Sequence, residues 1–400
     1  MNDTQNNVFT RLAGSPYVRR VLFDAAQAAR TGSPAAAMTH AWLFTGPPGS
    51  GRSVAARAFA AALVCENPDV IGCGECVDCR TALAGTHGDI IHVATEELSI
   101  SVKLIREVIA EAAKLPTTAP WRVVIIEDAD RLSDGAANAF LKTVEEPPAQ
   151  TVIIMCAPST DPQDISITLR SRCRHVYIPT PPISEVARLL ESEGIPSAHA
   201  SLAAAASAGH IGRARHLARF EEAQKRRASV LNLAALIYRG DLAFRETNVL
   251  VKTIEEEGKN TLAGLEQKEL ETLQNALGIG AKGKGAAKAL RGTKKILDEL
   301  EEKQKKRRTR FLRDAIDLAL VDLAGLYRDA LINQANSGVD VIHPDFQKLS
   351  QELAEKNSPS DLVACLDAIN QCRKAIGQNV RPIVALDAMV GRIRLACRAS

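Results

Sequence analysis

The sequence predicts a parallel α/β domain followed by an all-α region, and three observations carry that reading. Short, continuously apolar runs alternate with stretches of helical spacing through the first 180 residues. Runs of that kind are strands buried on both faces, as in parallel sheets covered by helices. After Pro179, Pro181 and Pro182 the strand signal stops, and helical spacing continues to the end. Alanine is abundant, as in Ala203 to Ala206, while aromatic residues make up only 4%. That balance favours helices, because alanine gives up no side-chain entropy on entering one.

The elements can be justified in order. Ala41 to Thr45 reads as a strand running into glycine-rich sequence, with a helix over Ser53 to Leu63. Asp89 to Val93 is a second strand and Ile100 to Leu115 has helical spacing. Arg122 to Ile126 is a buried strand ending in acidic residues, and Ala136 to Glu145 is the next helix. Thr151 to Cys156 and His175 to Ile178 complete the strands. Ile183 to Glu193 and Ser197 to Arg219 form a small helical module joined by glycine and proline, and residues from about 225 onward are helical. Gly278, Gly280, Gly283, Gly285 and Gly292 stand among lysines over 278–295 and predict a flexible break, followed by one long helix from Leu297 to Leu331. Pro359 to Cys397 supplies two more helices. The resulting domains are 1–180, 181–224 and 225–400.

Composition narrows the class. With 46% hydrophobic and 24% charged residues, the chain has ample material for a core, which excludes a disordered tail, a collagen or a disulfide-stapled miniprotein. No run reaches the roughly 18–20 apolar residues that span a bilayer, and Met1 to Phe9 lacks the pattern of a secretory signal. The expected location is cytoplasmic, with no membrane partner. The net charge of +3 argues neither for nor against nucleic acid, but residues 281–310 hold twelve Lys+Arg against four acidic residues. Contact with DNA phosphates and a solvated linker both fit that segment.

Three motifs carry chemistry. The first is Gly46-Pro47-Pro48-Gly49-Ser50-Gly51-Arg52-Ser53, after a strand and before a helix. This is a P-loop in its required context, where backbone N–H groups and a helix N-terminus cradle phosphate and a hydroxyl such as that of Ser53 ligates Mg²⁺. Arg52 stands where the loop expects lysine, and the planar guanidinium does not replace a compact ammonium. A descendant that binds ATP/Mg²⁺ weakly, or without turnover, is favoured over a glycine turn with no phosphate. Glu127-Asp128 at a strand end supports this, since P-loop ATPases place Asp then Glu there. In the inverted order the second carboxylate is one methylene short, a displacement of about 1 Å that can cost roughly a hundredfold in rate.

The second motif is Cys65, Cys73, Cys76 and Cys79, four thiols within 15 residues at spacings that let them converge on one tetrahedral ion. Four sulfurs leave no open position, so the expected ion is a structural Zn²⁺; the alternative is a set of reduced thiols. Cys156, Cys173, Cys365, Cys372 and Cys397 are scattered and read as small buried hydrophobes. The third motif is Ser171-Arg172-Cys173. An arginine held rigidly at a helix end can reach a neighbouring subunit's site as an arginine finger. A surface salt bridge is an equal reading on sequence alone.

Together with Asn138 to Pro148, these motifs resemble the bacterial clamp-loader AAA+ ATPases over about residues 8–220, with an actinobacterial cast to the Gly51-Arg52-Ser53 loop. The resemblance implies an AAA+ P-loop sheet domain with a zinc module (65–79), a small helical lid (181–224) and a C-terminal helical collar (225–400) containing the basic Gly/Lys-rich segment 278–310. Motor members keep the loop lysine, the Asp-Glu order and a sensing arginine in the lid; here Gly212 occupies that last position. The resemblance therefore implies a non-motor member. It would assemble with motor subunits and another non-motor subunit in a five-membered ring, with Arg172 completing a neighbour's ATP site. The ring would open a sliding clamp and engage primed DNA at the replisome. Thr45 and Ser159 or Thr160 are further residues that sense nucleotide in active relatives. The alternatives are an autonomous DNA-dependent AAA+ ATPase, against which Arg52, Glu127-Asp128 and Gly212 speak, and a zinc-dependent nucleic-acid binder, which would need stacking aromatics that are absent between Cys65 and Cys79.

Overall fold

Five short strands, β1 (Ala41–Thr45), β2 (Ile90–Val93), β3 (Arg122–Ile126), β4 (Thr151–Ala157) and β5 (Arg174–Tyr177), form one sheet in the order β2-β3-β4-β1-β5. Every pairing is parallel. The computed structural model describes residues 7–12, 14–32, 38–95, 97–277 and 286–399, with backbone alone over 286–293. The chain divides into two compact units, Met1–Arg215 and His216–Ser400, each with its own core.

In the first unit, alternation along the strands divides the core between the two faces. Trp42, Phe44, Val123, Ile125, Val152, Ile154 and Cys156 join one cluster, while Leu43, Val124, Ile126, Ile153 and Met155 join the other. The first face is covered by α1 (Pro16–Thr31) and α2 (Arg52–Val64), where Phe59 packs edge-on against Trp42 at 5.0 Å. That face also carries α3 (Val77–Ala84), which ends the four-cysteine segment and contributes Cys79 to the same core. The second face is covered by α4 (Val102–Ala112) and α5 (Asp134–Glu145). Serine caps start both: Ser101 accepts from Leu104 N–H and Ser133 from Ala136 N–H. A short α6 (Ile167–Arg170) precedes β5, and α7 (Ile183–Ser192), α8 (Ser197–Ala206) and α9 (Ile211–Arg219) follow it. The order of the parallel sheet, the helices on both faces and the helical remainder fit the AAA+ P-loop fold.

The second unit is helical throughout its described residues: α10 (Glu221–Leu236), α11 (Leu242–Ala276), α12 (Ala286–Ala335), α13 (Gln347–Lys356), α14 (Pro359–Gly377) and α15 (Pro382–Ala396). Fifty residues make α12 about 75 Å long. Its inner stretch, with Ile316, Leu320, Leu323 and Tyr327, packs with Leu362, Ile369, Leu386 and Met389 from α14 and α15. Gly258 lets α11 and α12 approach closely, since a Cβ there would stand 2.8 Å from the Phe311 ring.

Two expectations change. The stretch Ser197 to Arg219 is two helices, because Ala208 and Gly209 take positive φ angles of 49° and 83° between them. The long helix begins at Ala286 rather than Leu297, so Gly292 lies inside it. Gly278, Gly280, Gly283 and Gly285 of the expected break lie outside the described residues.

Candidate functional site

The parallel register brings the carboxyl ends of the strands to one edge. Thr45 of β1 pairs with Ala157 of β4, and Ile126 of β3 pairs with Met155, so the P-loop and Glu127-Asp128 leave the sheet on the same side. That edge is where ligands bind in open α/β sheets. Three glycines shape the loop: Gly46, Gly49 and Gly51 take φ angles of 155°, 84° and 94°. At Gly46 the constraint is steric as well, because an added Cβ would meet the Ile178 carbonyl oxygen at 2.1 Å.

Gly51 caps α2, whose first turn holds Arg52 and Ser53. The first N–H groups of a helix have no intrahelical acceptor, and the helix dipole adds positive potential. Two side-chain atoms at this loop are buried without a partner, Ser50 Oγ and Arg52 Nη1. Unsatisfied buried donors are costly, and an anion held in the loop would satisfy both. The loop's glycine geometry and these two unpartnered atoms fit a bound anion such as a phosphate group.

The acidic pair is differently placed. Glu127 Oε1 accepts from Arg57 Nη2 at 2.8 Å and from His92 Nε2 at 2.7 Å. Arg57 belongs to α2 and His92 to β2, so this one carboxylate ties a covering helix to two strands. Burial raises the Glu127 carboxyl, but hydrogen bonds from His92 and Arg57 and the charge of Arg57 outweigh it and bring it down to about 2. Both contacts fall on the same oxygen, Oε1. Asp128 lies 3.8 Å from Arg131 Nε, and Asp130 behind it is raised by burial and by the charge of Asp128. The bond from His92 to Glu127 could not be read from sequence spacing. Thr45 Oγ1 lies 2.6 Å from His175 Nε2, and Ser159 Oγ donates to Asp164 Oδ2 at 2.6 Å, so both hydroxyls have partners within this unit.

The four cysteines converge. Their sulfurs all lie within 4.8 Å of one another, with Cys65–Cys73 at 3.8 Å and Cys73–Cys79 at 4.0 Å. Tetrahedral zinc with sulfur at about 2.3 Å spaces its ligands about 3.8 Å apart. Backbone N–H groups of Cys76 and Cys79 point at Cys73 Sγ and Cys76 Sγ, each at 3.3 Å, as suits thiolates. The cluster fits a metal ion such as zinc. Gly72 beside it receives the N-terminal segment: Val8 N–H donates to the Gly72 carbonyl at 2.8 Å, and a Cβ on Gly72 would clash with Val8 at 2.6 Å.

The family model for "DNA polymerase III, delta subunit" matches residues 26–182, which contain the loop, the cysteines, the acidic pair and Arg172. Subunit delta' of DNA polymerase III from Escherichia coli is 36% identical over 206 residues, covering 50% of this chain and 61% of that one. Over these residues the chain is similar to clamp-loader subunits of DNA polymerase III. Subunit delta' from Pseudomonas aeruginosa is 36% identical over 145 residues, 36% of this chain and 44% of that one. Subunit tau from Bacillus subtilis is 37% identical over 137 residues, 34% of this chain and 24% of that one. The chain thus spans less than two thirds of the length of these curated relatives.

In the first unit Arg172 sits between α6 and the edge strand β5. Its guanidinium donates to the Thr168 carbonyl at 2.9 Å and pairs with Glu145 at 3.2 Å, with the two side chains 34% and 56% exposed. Glu145 belongs to the segment that signalled the family, but its pairing with Arg172 could not be read from sequence. So exposed a pair contributes little, about 0–1 kcal/mol at most, and releases its arginine readily. No described helix is long and apolar enough to cross a membrane.

Two outcomes are expected. Glu127→Gln should destabilise the first unit by roughly 2–3 kcal/mol near pH 6. Because the folded carboxyl is depressed, that contribution is complete above its ordinary range and fades as pH falls through about 2; chemical denaturation of both proteins from pH 6 to pH 3 should show the gap closing. Metal analysis of the purified chain should find about one zinc per chain. Its removal by a chelator should raise hydrogen exchange over 65–85 and at Val8, which is anchored to Gly72.

Proposed function

We propose that this chain is a non-motor clamp-loader subunit of the delta' kind, working in a hetero-pentamer with motor subunits and a delta subunit. In that assembly it is the stator: residues 181–224 serve as its lid, 225–400 as its collar segment, and Arg172 completes the ATP site of an adjacent motor subunit. The zinc cluster, rooted in the sheet core through Cys65 and Cys79, stiffens the part against which the motors move. The sliding clamp and primed DNA are reached through the complex, in the bacterial cytoplasm at the replisome.

The observation that carries this reading is the Glu127 triad. Glu127 stands at the first acidic position, where P-loop ATPases hold Mg²⁺ with Asp, and its Oε1 is engaged by Arg57 and His92 instead. Asp128, at the water-activating position, is one methylene short. Arg52 in the lysine position adds a second departure at the same edge of the sheet. Arg172, by contrast, is held at the surface by a pair weak enough to exchange for a partner's phosphate.

A second reading, an autonomous motor ATPase, is favoured by the unpartnered Ser50 Oγ and Arg52 Nη1, which prepare the loop for an anion. Binding alone does not decide between the two; turnover does. The isolated chain, with and without primed DNA, should hydrolyse ATP no faster than background. Turnover approaching roughly one per second would instead favour the motor. In the assembled ring, Arg172→Ala should depress DNA-stimulated turnover by at least about tenfold while leaving assembly intact. Unchanged turnover would overturn the trans assignment.

A further inference from the structure

His210 is the residue before α9, and its imidazole does two things at once. Nδ1 accepts from the Arg213 N–H at 3.2 Å, while the backbone carbonyl of His210 accepts from Ala214 N–H at 2.9 Å, so the residue caps the helix. The ring also rests on the P-loop at Gly49. A Cβ on Gly49 would stand 2.1 Å from His210 Cγ and 2.3 Å from Cδ2, so this contact exists because position 49 lacks a side chain. The connection from the sheet to this module is seated in the same way. A Cβ on Gly209 would meet the Pro181 carbonyl oxygen at 2.6 Å, and one on Gly14 would meet Pro182 Cδ at 2.8 Å.

We propose that His210 is a latch whose neutral imidazole, seated on Gly49, holds the start of α9 against the phosphate loop in the absence of nucleotide. The function proposed above gains a physical cause from this: a lid fastened by its own side chain does not need a γ-phosphate to set its position. Gly212 has no side chain with which to sense one. The latch deepens the stator reading and rests on it for its consequence, but its chemistry belongs to this chain alone.

The neutral form is required on geometric grounds. A protonated Nδ1 cannot accept from Arg213 N–H, so protonation removes the cap. The charged groups facing the ring, Arg213 from α9 and Arg52 from the loop, are both cationic and oppose a third positive charge. Burial first, and then these two arginines, lower the imidazole below its ordinary value. Stability from the latch is therefore complete above the ordinary histidine range and is lost as pH falls below it.

The test uses the full chain without nucleotide. His210→Asn keeps a side-chain acceptor for the helix cap and removes the ring from Gly49. Hydrogen exchange, corrected for intrinsic rates, should rise at least about tenfold at pH 7.5 for amides of 46–53 and 207–214, with β3 and β4 unchanged. The wild-type chain should loosen in the same segments between pH 7.5 and 5.5, whereas His210→Asn should show no such step. Equal exchange in the two proteins at pH 7.5, or a wild type indifferent to pH, overturns the latch. If β3 and β4 loosen in the variant as well, the imidazole titration of the wild type, followed by NMR, decides: a midpoint below 6.5 supports the latch, and one at or above 6.5 overturns it. No partner subunit is present in these measurements, so their failure leaves the Arg172 assignment to the ring assay.

Discussion

Burying β1, β3 and β4 on both faces is the constraint from which the rest of the first unit follows. A strand with apolar groups on both sides has nowhere to carry a polar side chain except at its ends. The loop after β1 and the carboxylates after β3 therefore emerge along one edge, and the register of Thr45 with Ala157 and of Ile126 with Met155 sets their separation. The same burial places Phe59 of α2 against Trp42, which fixes the helix whose N-terminus faces the loop. The cysteine segment is drawn into the same packing through Cys79, so a metal there would brace the core rather than decorate the surface.

Charge at this edge is settled within the chain at Glu127 and held only by an exposed pair at Arg172. Glu127 has its partners Arg57 and His92 on neighbouring elements, which hold one half-buried carboxylate oxygen from two sides. Arg172 and Glu145 are held by an exposed pair, which solvent screens. The first carboxylate of the acidic pair is thus engaged within the chain, while the arginine at the surface remains exchangeable. The two local arrangements are consequences of depth: Glu127 sits beneath α2, while Arg172 sits beside an edge strand.

Strand positions, the P-loop and the cysteine cluster were legible because each follows from periodicity or close spacing. Arg122 to Ile126 reads directly as a strand, since Val123, Val124, Ile125 and Ile126 are four consecutive β-branched residues. Side-chain partnerships across long separations were not legible. His92 to Glu127 spans 35 residues and Arg57 to Glu127 spans 70, and nothing local marks either pair. His210 is a sharper case. The sequence showed only that Gly212 lacks a sensing side chain, whereas the contact that stands in for it depends on Gly49, far back in the chain. At the helix boundary 208–209, Ala208 adopts a left-handed conformation that alanine disfavours, and only Gly209 beside it marked the turn locally.

The lysine- and arginine-rich stretch 281–310 illustrates how composition misleads when partners lie on another helix. Over its described side chains, Arg307 pairs with Glu269 at 2.7 Å and Arg308 with Glu266 at 2.5 Å, both across from α12 to α11. Arg310 lies 3.2 Å from Asp314 on its own helix. Arg307 is nearly buried, so its charge serves the clasp between two long helices rather than the solvent. A segment that binds DNA backbone does so with cations free to replace condensed counterions. Counting twelve basic against four acidic residues therefore overstates the field of the described side chains, because Glu266, Glu269 and Asp314 lie outside the window in which the charge was counted.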